Sequence, residues 1–198
     1  MKDLITNQLA EAIYKYNVKA GWWDEPVRPD GTTLALIHSE VTEAYIGFVH
    51  DIPDHHLPQY QNVVVELADA AIRIYDLFGH KGWNIEKAVD AVLRLGADDR
   101  PTPEYTHVNF HKYFLDIHVH ISNALEGVRK NQVMQIGEAT EDVLDIAAFE
   151  LAIAMLMIYH AECWGWDIPN AIGDKRAYNA NRADHKRENR AKDDGKKF

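Results

Sequence analysis

Four carboxylates of the sequence stand in two pairs of identical spacing. Glu40 and Glu43 form the first pair, and Glu66 and Asp69 form the second. Residues three positions apart lie on one face of a helix, so two such helices packed face to face would bring four carboxylates together. Like charges at that distance repel each other unless cations lie between them. Carboxylate oxygens suit Mg²⁺ or Mn²⁺, so the spacing indicates a site for a divalent cation.

These acids also allow interpretations without a metal. The first pair could lie on a solvated helix face, although apolar residues crowd the same helix. The second pair lies in the apolar segment 63–74, where an unpaired carboxylate is costly to bury. Arg73 follows Asp69 by four residues and could neutralise it without any metal. Spacing alone leaves both interpretations open.

The elements that must position these acids have the pattern of helices. Apolar residues recur at helical spacing, and no segment shows the sustained alternation of a strand. We therefore predict an all-α fold. The predicted helices lie at about Asp3–Ala20, Thr32–Val49, Gln59–Phe78, Asn84–Leu95, Val108–Lys130, Glu138–Cys163 and Ile168–Arg182. The segment Gly96–Thr106, which contains two prolines, is predicted to connect two halves.

The two halves of the sequence resemble each other. Val65–Tyr75 reads VELADAAIRIY, and 84 residues later Phe149–Tyr159 reads FELAIAMLMIY. Two further matches lie 83 residues apart, Gly82–Ile85 with Gly165–Ile168 and Ser39–Ala44 with Ser122–Gly127. Three matches in the same order predict a duplicated helical unit whose two copies pack as a pseudo-dimer.

The second copy is predicted to be degenerate. In this alignment Asn123 stands for Glu40 and Ile153 for Asp69, so only Glu126 and Glu150 remain as acids. We therefore assign residues 1–100 to a first unit that carries the metal site. Residues 101–198 form the degenerate second unit and a basic C-terminal tail, and both units belong to one compact domain.

Beyond the four acids, longer segments resemble the all-α nucleoside triphosphate pyrophosphohydrolases, which include MazG-like proteins and the dimeric dUTPases. LALIHSEVTEA (34–44) is similar to the first metal helix of MazG-like proteins, and ELADAAIRIYDLFGHKGWNIEKAV (66–89) to the second. KAGWW (19–23) is similar to their lead-in, and Lys175-x-x-Tyr178-Asn179-x-x-Arg182 to their closing helix. The tandem organisation is similar to that of some all-α dUTPases, which makes dUTP a candidate substrate.

The resemblance implies cleavage of a (d)NTP to the monophosphate and pyrophosphate. Glu40, Glu43, Glu66 and Asp69 would hold Mg²⁺, or Mn²⁺ in its place, and either Glu40 or Glu43 would accept the proton of the attacking water. The candidate substrate-binding residues are Lys175, Tyr178, Asn179, Arg182, His185, Lys196, Trp22 and Trp23. A homodimer is expected by analogy, because two units per chain would then reproduce the four-unit assembly of smaller relatives.

Other interpretations stay open beside these roles. The closing-helix residues could lie on a solvated surface, and the Trp22–Trp23 pair could form an apolar lid on the core. Ser39 stands where many relatives have a further glutamate, which leaves the general base undecided. The alternative function is a non-catalytic helical module that binds a nucleotide or a partner, with the acids as a relic.

Composition narrows the function classes. The 198 residues are 46% apolar, which is enough for a folded core, and the net charge of −10 disfavours nucleic acid as a partner. The body carries −15 and the segment 175–198 carries +5, which suits either an anionic ligand bridged by cations or a solvated acidic surface.

Cellular location is predicted from equally simple features. A lone cysteine, Cys163, excludes a disulfide framework and fits a reducing cytoplasm. The first ten residues lack a signal-like apolar run. The longest apolar stretch, Ile146–Tyr159, has 14 residues, too few to span a bilayer, so no membrane association is expected.

Overall fold

The computed structural model describes residues 2–24, 27–95, 109–138 and 142–190. Within these residues the chain forms eight α-helices and one small β-hairpin. The elements are α1 (Asn7–Lys19), α2 (Asp30–His50), α3 (Asn62–Lys81), α4 (Ile85–Leu95), α5 (Phe110–Lys130), β1 (Val133–Gln135), β2 (Val143–Asp145), α6 (Ile146–His160), α7 (Ile168–Asn181) and α8 (Arg187–Arg190). The protein is therefore mostly helical, and the predicted connection Gly96–Thr106 lies outside the described residues.

The helix ends follow from local chemistry. Thr6 caps α1 by accepting a hydrogen bond from the backbone N–H of Leu9, and Asp167 caps α7 in the same way through Asn170. Helix α3 ends at Gly82, whose φ of +65° is the left-handed conformation that glycine adopts without strain. These signals set the register of the helices that carry the predicted site.

The hairpin corrects the all-α prediction. Strand β1 pairs antiparallel with β2, with Val133 opposite Asp145, and the predicted helix from Glu138 begins only at Ile146. Strands of three residues are too short to display the alternation by which strands are recognised. Valine at the start of each strand nevertheless favours extended backbone, and tertiary pairing decides the outcome.

The core centres on α3 and α6. Nearly every side chain of α6 is buried, and the hydroxyls of Tyr75 on α3 and Tyr159 on α6 lie 2.8 Å apart between the two helices. Helices α1, α2 and α7 pack on α3, whereas α4 and α5 pack on α6. One buried apolar cluster runs through helices from both ends of the chain. Helix α3 thereby becomes the platform on which α1, α2 and α7 enclose a cavity.

Helix α6 with the turn that follows it is longer than the expected apolar stretch. The segment Ile146–Trp164 has 19 residues and could cross a membrane by length and composition alone. Of the window tested, 72% is buried inside the protein. That burial is the arrangement of a core helix.

Candidate functional site

Three of the four predicted metal ligands converge. One carboxylate oxygen each of Glu40, Glu43 and Glu66 lies within 4.8 Å of the other two. Glu40 is buried, Glu66 is half-buried and Glu43 is exposed. We call this group the acidic triad. It lies in the wall of a cavity of about 720 Å³ that side chains from α1, α2, α3 and α7 enclose.

Asp69 lies in the same cavity wall but has a different partner. Its Oδ2 is 2.7 Å from Nζ of Lys175 on α7, and Lys175 is only 5% exposed. The expected cluster of four acids is thus a triad beside a buried ion pair.

Arg73 pairs with Glu40 and not with the nearer residue in sequence, Asp69. Its Nε donates to Oε1 of Glu40 at 2.6 Å. The side chain crosses from α3 to α2 because the two helices pack directly on each other. Arg73 thus neutralises one member of the acidic triad.

Burial and mutual repulsion change the ionisation of these acids. Burial, followed by the charges of Asp69, Glu40 and Glu43, raises the pKa of Glu66 to about 8, although Lys175 opposes the shift. Burial also raises the pKa of Asp69, against the attraction of Lys175. In the absence of a cation, Glu66 is therefore largely protonated at neutral pH. A divalent cation would supply the charge that lets the triad ionise fully.

Helix α7 contributes most of the predicted substrate-binding residues to this cavity. Lys175, Asn179 and Arg182 line it, whereas Tyr178 lies outside the lining and stacks on His56 at 4.8 Å. The guanidinium of Arg182 binds Asp184 through Nε at 2.9 Å, and this contact lowers the pKa of Asp184. The predicted residue Lys196 lies outside the described residues.

The two adjacent tryptophans occupy different surroundings. Trp22 lines the cavity and meets the ring of His185 edge-on at 5.1 Å. Trp23 is buried, and its ring stacks on His80 at 3.8 Å with the guanidinium of Arg28 4.5 Å away. Because these partners cover the ring of Trp23, the structure favours the lid interpretation for this residue over stacking on a base.

Sequence reasoning missed several polar residues of the cavity. Asn17, Arg28 and Asp76 line it, and Nε1 of Trp23 donates to Oδ1 of Asp76 at 3.0 Å. Arg28 lies 3.4 Å from the other oxygen of Asp76. A charged residue in the apolar run of α3 was the available signal for Asp76. Nothing in the spacing pointed to Arg28, which lies in a loop.

The acids expected to remain in the second half do not meet. Oε2 of Glu150 lies 2.7 Å from Nδ1 of His120 and accepts a hydrogen bond from Asn123 at 3.3 Å. Glu126 is exposed and pairs with Arg129 and Lys130 on its own helix. The described part of the second half therefore has no carboxylate cluster like the triad.

No family model, curated protein or solved structure matches this chain. A function has to be inferred from the cavity and its side chains.

Proposed function

We propose that this protein is a Mg²⁺-dependent pyrophosphohydrolase that converts a (d)NTP and water to the (d)NMP and pyrophosphate. The observation that carries the proposal is the acidic triad in the wall of a cavity that basic side chains of α7 also line. Carboxylates facing cations across a cavity suit a polyphosphate bridged by a divalent ion. The resemblance of the two metal-helix segments to MazG-like proteins supports the same chemistry.

The donor set fits Mg²⁺. Three carboxylates offer hard oxygen ligands, and the raised pKa of Glu66 shows that the triad is short of positive charge. Glu40, Glu43 and Glu66 would hold the ion, with Asp69 as a further candidate. When bound, Mg²⁺ neutralises phosphate charge and acidifies a bound water, and Mn²⁺ would serve similarly.

The side chains of α7 would bind the phosphates. Arg182 uses part of its guanidinium for Asp184, and the fork retains further N–H donors for a phosphate. Nζ of Lys175 has three donors, of which Asp69 takes one. Asn179 adds an amide to the same wall.

Glu43 is the better of the two candidate general bases. Glu40 is bound by Arg73, whereas Glu43 is exposed and accepts a hydrogen bond from Ser39 Oγ at 3.1 Å. In the proposed step, the water oxygen bonds to phosphorus, the bridging P–O bond breaks, and pyrophosphate leaves. Glu43 takes the proton of the water and later releases it to solvent.

The rest of the cavity wall suits a nucleobase. It has apolar side chains of Ile13, Leu36 and Ile72, the ring of Trp22, and polar groups of Asn17, Arg28 and Asp76. An apolar slot with a few polar groups is the usual environment of an aromatic heterocycle. These features support a nucleotide over a free polyphosphate.

We also propose that the chain is a duplicated unit, with a revised register. Helices α2 and α5 each have 21 residues, and both their first residues (30 and 110) and their last residues (50 and 130) differ by 80. This offset replaces the 83 of the sequence match and sets His120 against Glu40 and Asn123 against Glu43. Both of these second-half residues contact Glu150, the counterpart of Glu66, which supports the revised register.

One observation favours the alternative function, a non-catalytic binding module. Arg73 neutralises Glu40 and Lys175 neutralises Asp69, so two of the four acids are satisfied without an ion. In that case the cavity would bind a nucleotide or partner without cleaving it. The two functions differ in whether pyrophosphate appears.

Pyrophosphate release from each (d)NTP, including dUTP, in Mg²⁺ or Mn²⁺ tests the proposal. We expect release by the wild type and a loss of about 100-fold or more for Glu43→Gln, because a general base contributes on that scale. Glu126→Gln is the matched control, since Glu126 is also an exposed helical glutamate. Nucleotide binding without release from any substrate would contradict hydrolysis and support the binding module.

A further inference from the structure

Asn62 links the acidic triad to the loop before α3. Its Nδ2 donates to Oε1 of Glu66 at 2.9 Å and to Oδ2 of Asp54 at 3.2 Å. An asparagine at the start of a helix commonly uses its side-chain oxygen to accept a backbone N–H. This amide instead donates to two carboxylates. The use of both donors sets the orientation of the amide.

Asp54 is itself held in place. It is 4% exposed, and its Oδ1 accepts the backbone N–H groups of His56 at 2.9 Å and Leu57 at 2.8 Å. These bonds, the amide of Asn62 and the charge of Lys175 outweigh burial and lower the pKa of Asp54. Asp54 is therefore ionised and is a fixed acceptor for Asn62.

Gly47 on α2 makes room for the same amide. A Cβ at this position would lie 2.3 Å from Oδ1 of Asn62, which is closer than such atoms approach. The oxygen side of the amide is thus confined by α2, and the nitrogen side is confined by Asp54 and Glu66.

We propose that Asn62, oriented by Asp54 and Gly47, is a positioning residue that sets the carboxylate of Glu66 toward Glu40 and Glu43. The inference rests on the proposed function, because it assigns a purpose to the triad as a cation site. The bond from Asn62 occupies Oε1 of Glu66 and leaves Oε2 for the cation. A bond to a ligating carboxylate from outside the ligand set commonly affects metal affinity strongly.

The test is a Mn²⁺ titration followed by electron paramagnetic resonance. We expect Asn62→Leu, which keeps the approximate volume but has no donor, to bind Mn²⁺ about 10- to 100-fold more weakly and with an altered bound-ion spectrum. Gln61→Leu is the matched control. The neighbouring amide of Gln61 also donates to a carboxylate, Asp51, but outside the triad.

A second variant tests the relay from a distance. Asp54→Asn would oppose an amide nitrogen to Nδ2 of Asn62 and should turn that amide away from Glu66. It should therefore weaken Mn²⁺ binding without touching the triad, and its effect should not add to that of Asn62→Leu. Thermal melts in EDTA separate lost folding from lost affinity.

The outcomes are distinguishable from failure of the proposed function. If the wild type binds no Mn²⁺, the cation site itself fails and the inference fails with it. If the wild type binds Mn²⁺ and folded Asn62→Leu binds it equally well, the proposed function stands and the positioning role is wrong. Additive effects of the two variants would overturn the relay from Asp54.

Discussion

At the scale of single residues, the site is dominated by the cost of crowded carboxylates. Glu66 is surrounded by Asp69, Glu40 and Glu43, and Lys175 only partly compensates. Evolution of a purely structural core would favour a neutral side chain here, because burying an unneutralised charge is unfavourable. The retained acid is therefore the residue whose removal should separate stability from function.

Glu66→Gln should stabilise the metal-free protein in alkaline solution. The pKa of Glu66 rises from 4.5 to about 8 on folding, so its contribution is fully present below pH 4.5 and is lost as the pH rises through 8. Melting temperatures in EDTA should fall between these pH values for the wild type, and the variant should lack that part of the fall.

Added Mg²⁺ provides the complementary measurement. At pH 8 it should raise the melting temperature of the wild type, because binding to the folded state alone is stabilising, and it should have a smaller effect on Glu66→Gln. Equal gains for both proteins would contradict a role of Glu66 as a ligand.

Lys175→Met should destabilise the fold because it leaves Asp69 without its buried partner. Removing one member of such a pair costs about 3 kcal/mol or more, reduced here since the Asp69 side chain remains 17% exposed. Urea unfolding measures the loss, and the double variant with Asp69→Asn should recover part of it. A double variant as unstable as Lys175→Met would argue against the ion pair as the cause.

At the scale of elements, the site depends on how closely α2 approaches α3. Gly47 permits this approach, since a Cβ there would also lie 3.0 Å from the backbone nitrogen of Val63. Because a backbone atom cannot move aside like a flexible side chain, substitution must push the helices apart. The separation of α2 from α3 sets the distance between Glu40 and Glu66.

Gly47→Ala should therefore affect both stability and the site. We expect a loss of about 1–3 kcal/mol on urea unfolding and weaker Mn²⁺ binding by the folded variant. Gly173→Ala is a suitable comparison, because Gly173 is also helical and a Cβ there meets nothing within 4 Å. Similar losses in the two variants would indicate a general effect of glycine replacement.

At the scale of the whole molecule, the remaining question is assembly. Four exposed apolar side chains lie on the neighbouring helices α2 and α5, namely Ile46, Val49, Leu115 and Val119. Exposed apolar side chains on adjacent helices are compatible with the homodimer expected from the resemblance.

Light scattering coupled to size-exclusion chromatography measures this assembly. A homodimer should have twice the chain mass of 22.6 kDa. Leu115→Glu, at the most exposed of these positions (60%), should shift the population toward monomer, because it would bury a charge in the interface. A wild-type monomer at high concentration would contradict the expected dimer.

The sequence by itself determined which segments are helices and which face of each carries acids. The i, i+3 spacing and the apolar periodicity are local properties, and the structure confirms a mostly helical protein with a buried acidic group. The short hairpin escaped this reasoning because strands of three residues have no periodicity to detect.

Only the tertiary structure decided which partner each charged or aromatic side chain has. Arg73 is close in sequence to Asp69 but binds Glu40 on another helix, and Asp69 takes Lys175 from near the C-terminus. Likewise, adjacent Trp22 and Trp23 separate into a cavity residue and a covered one. Local spacing fixes direction around one helix, whereas contacts depend on how helices distant in sequence pack, and that packing minimises unpaired buried charge over the whole core.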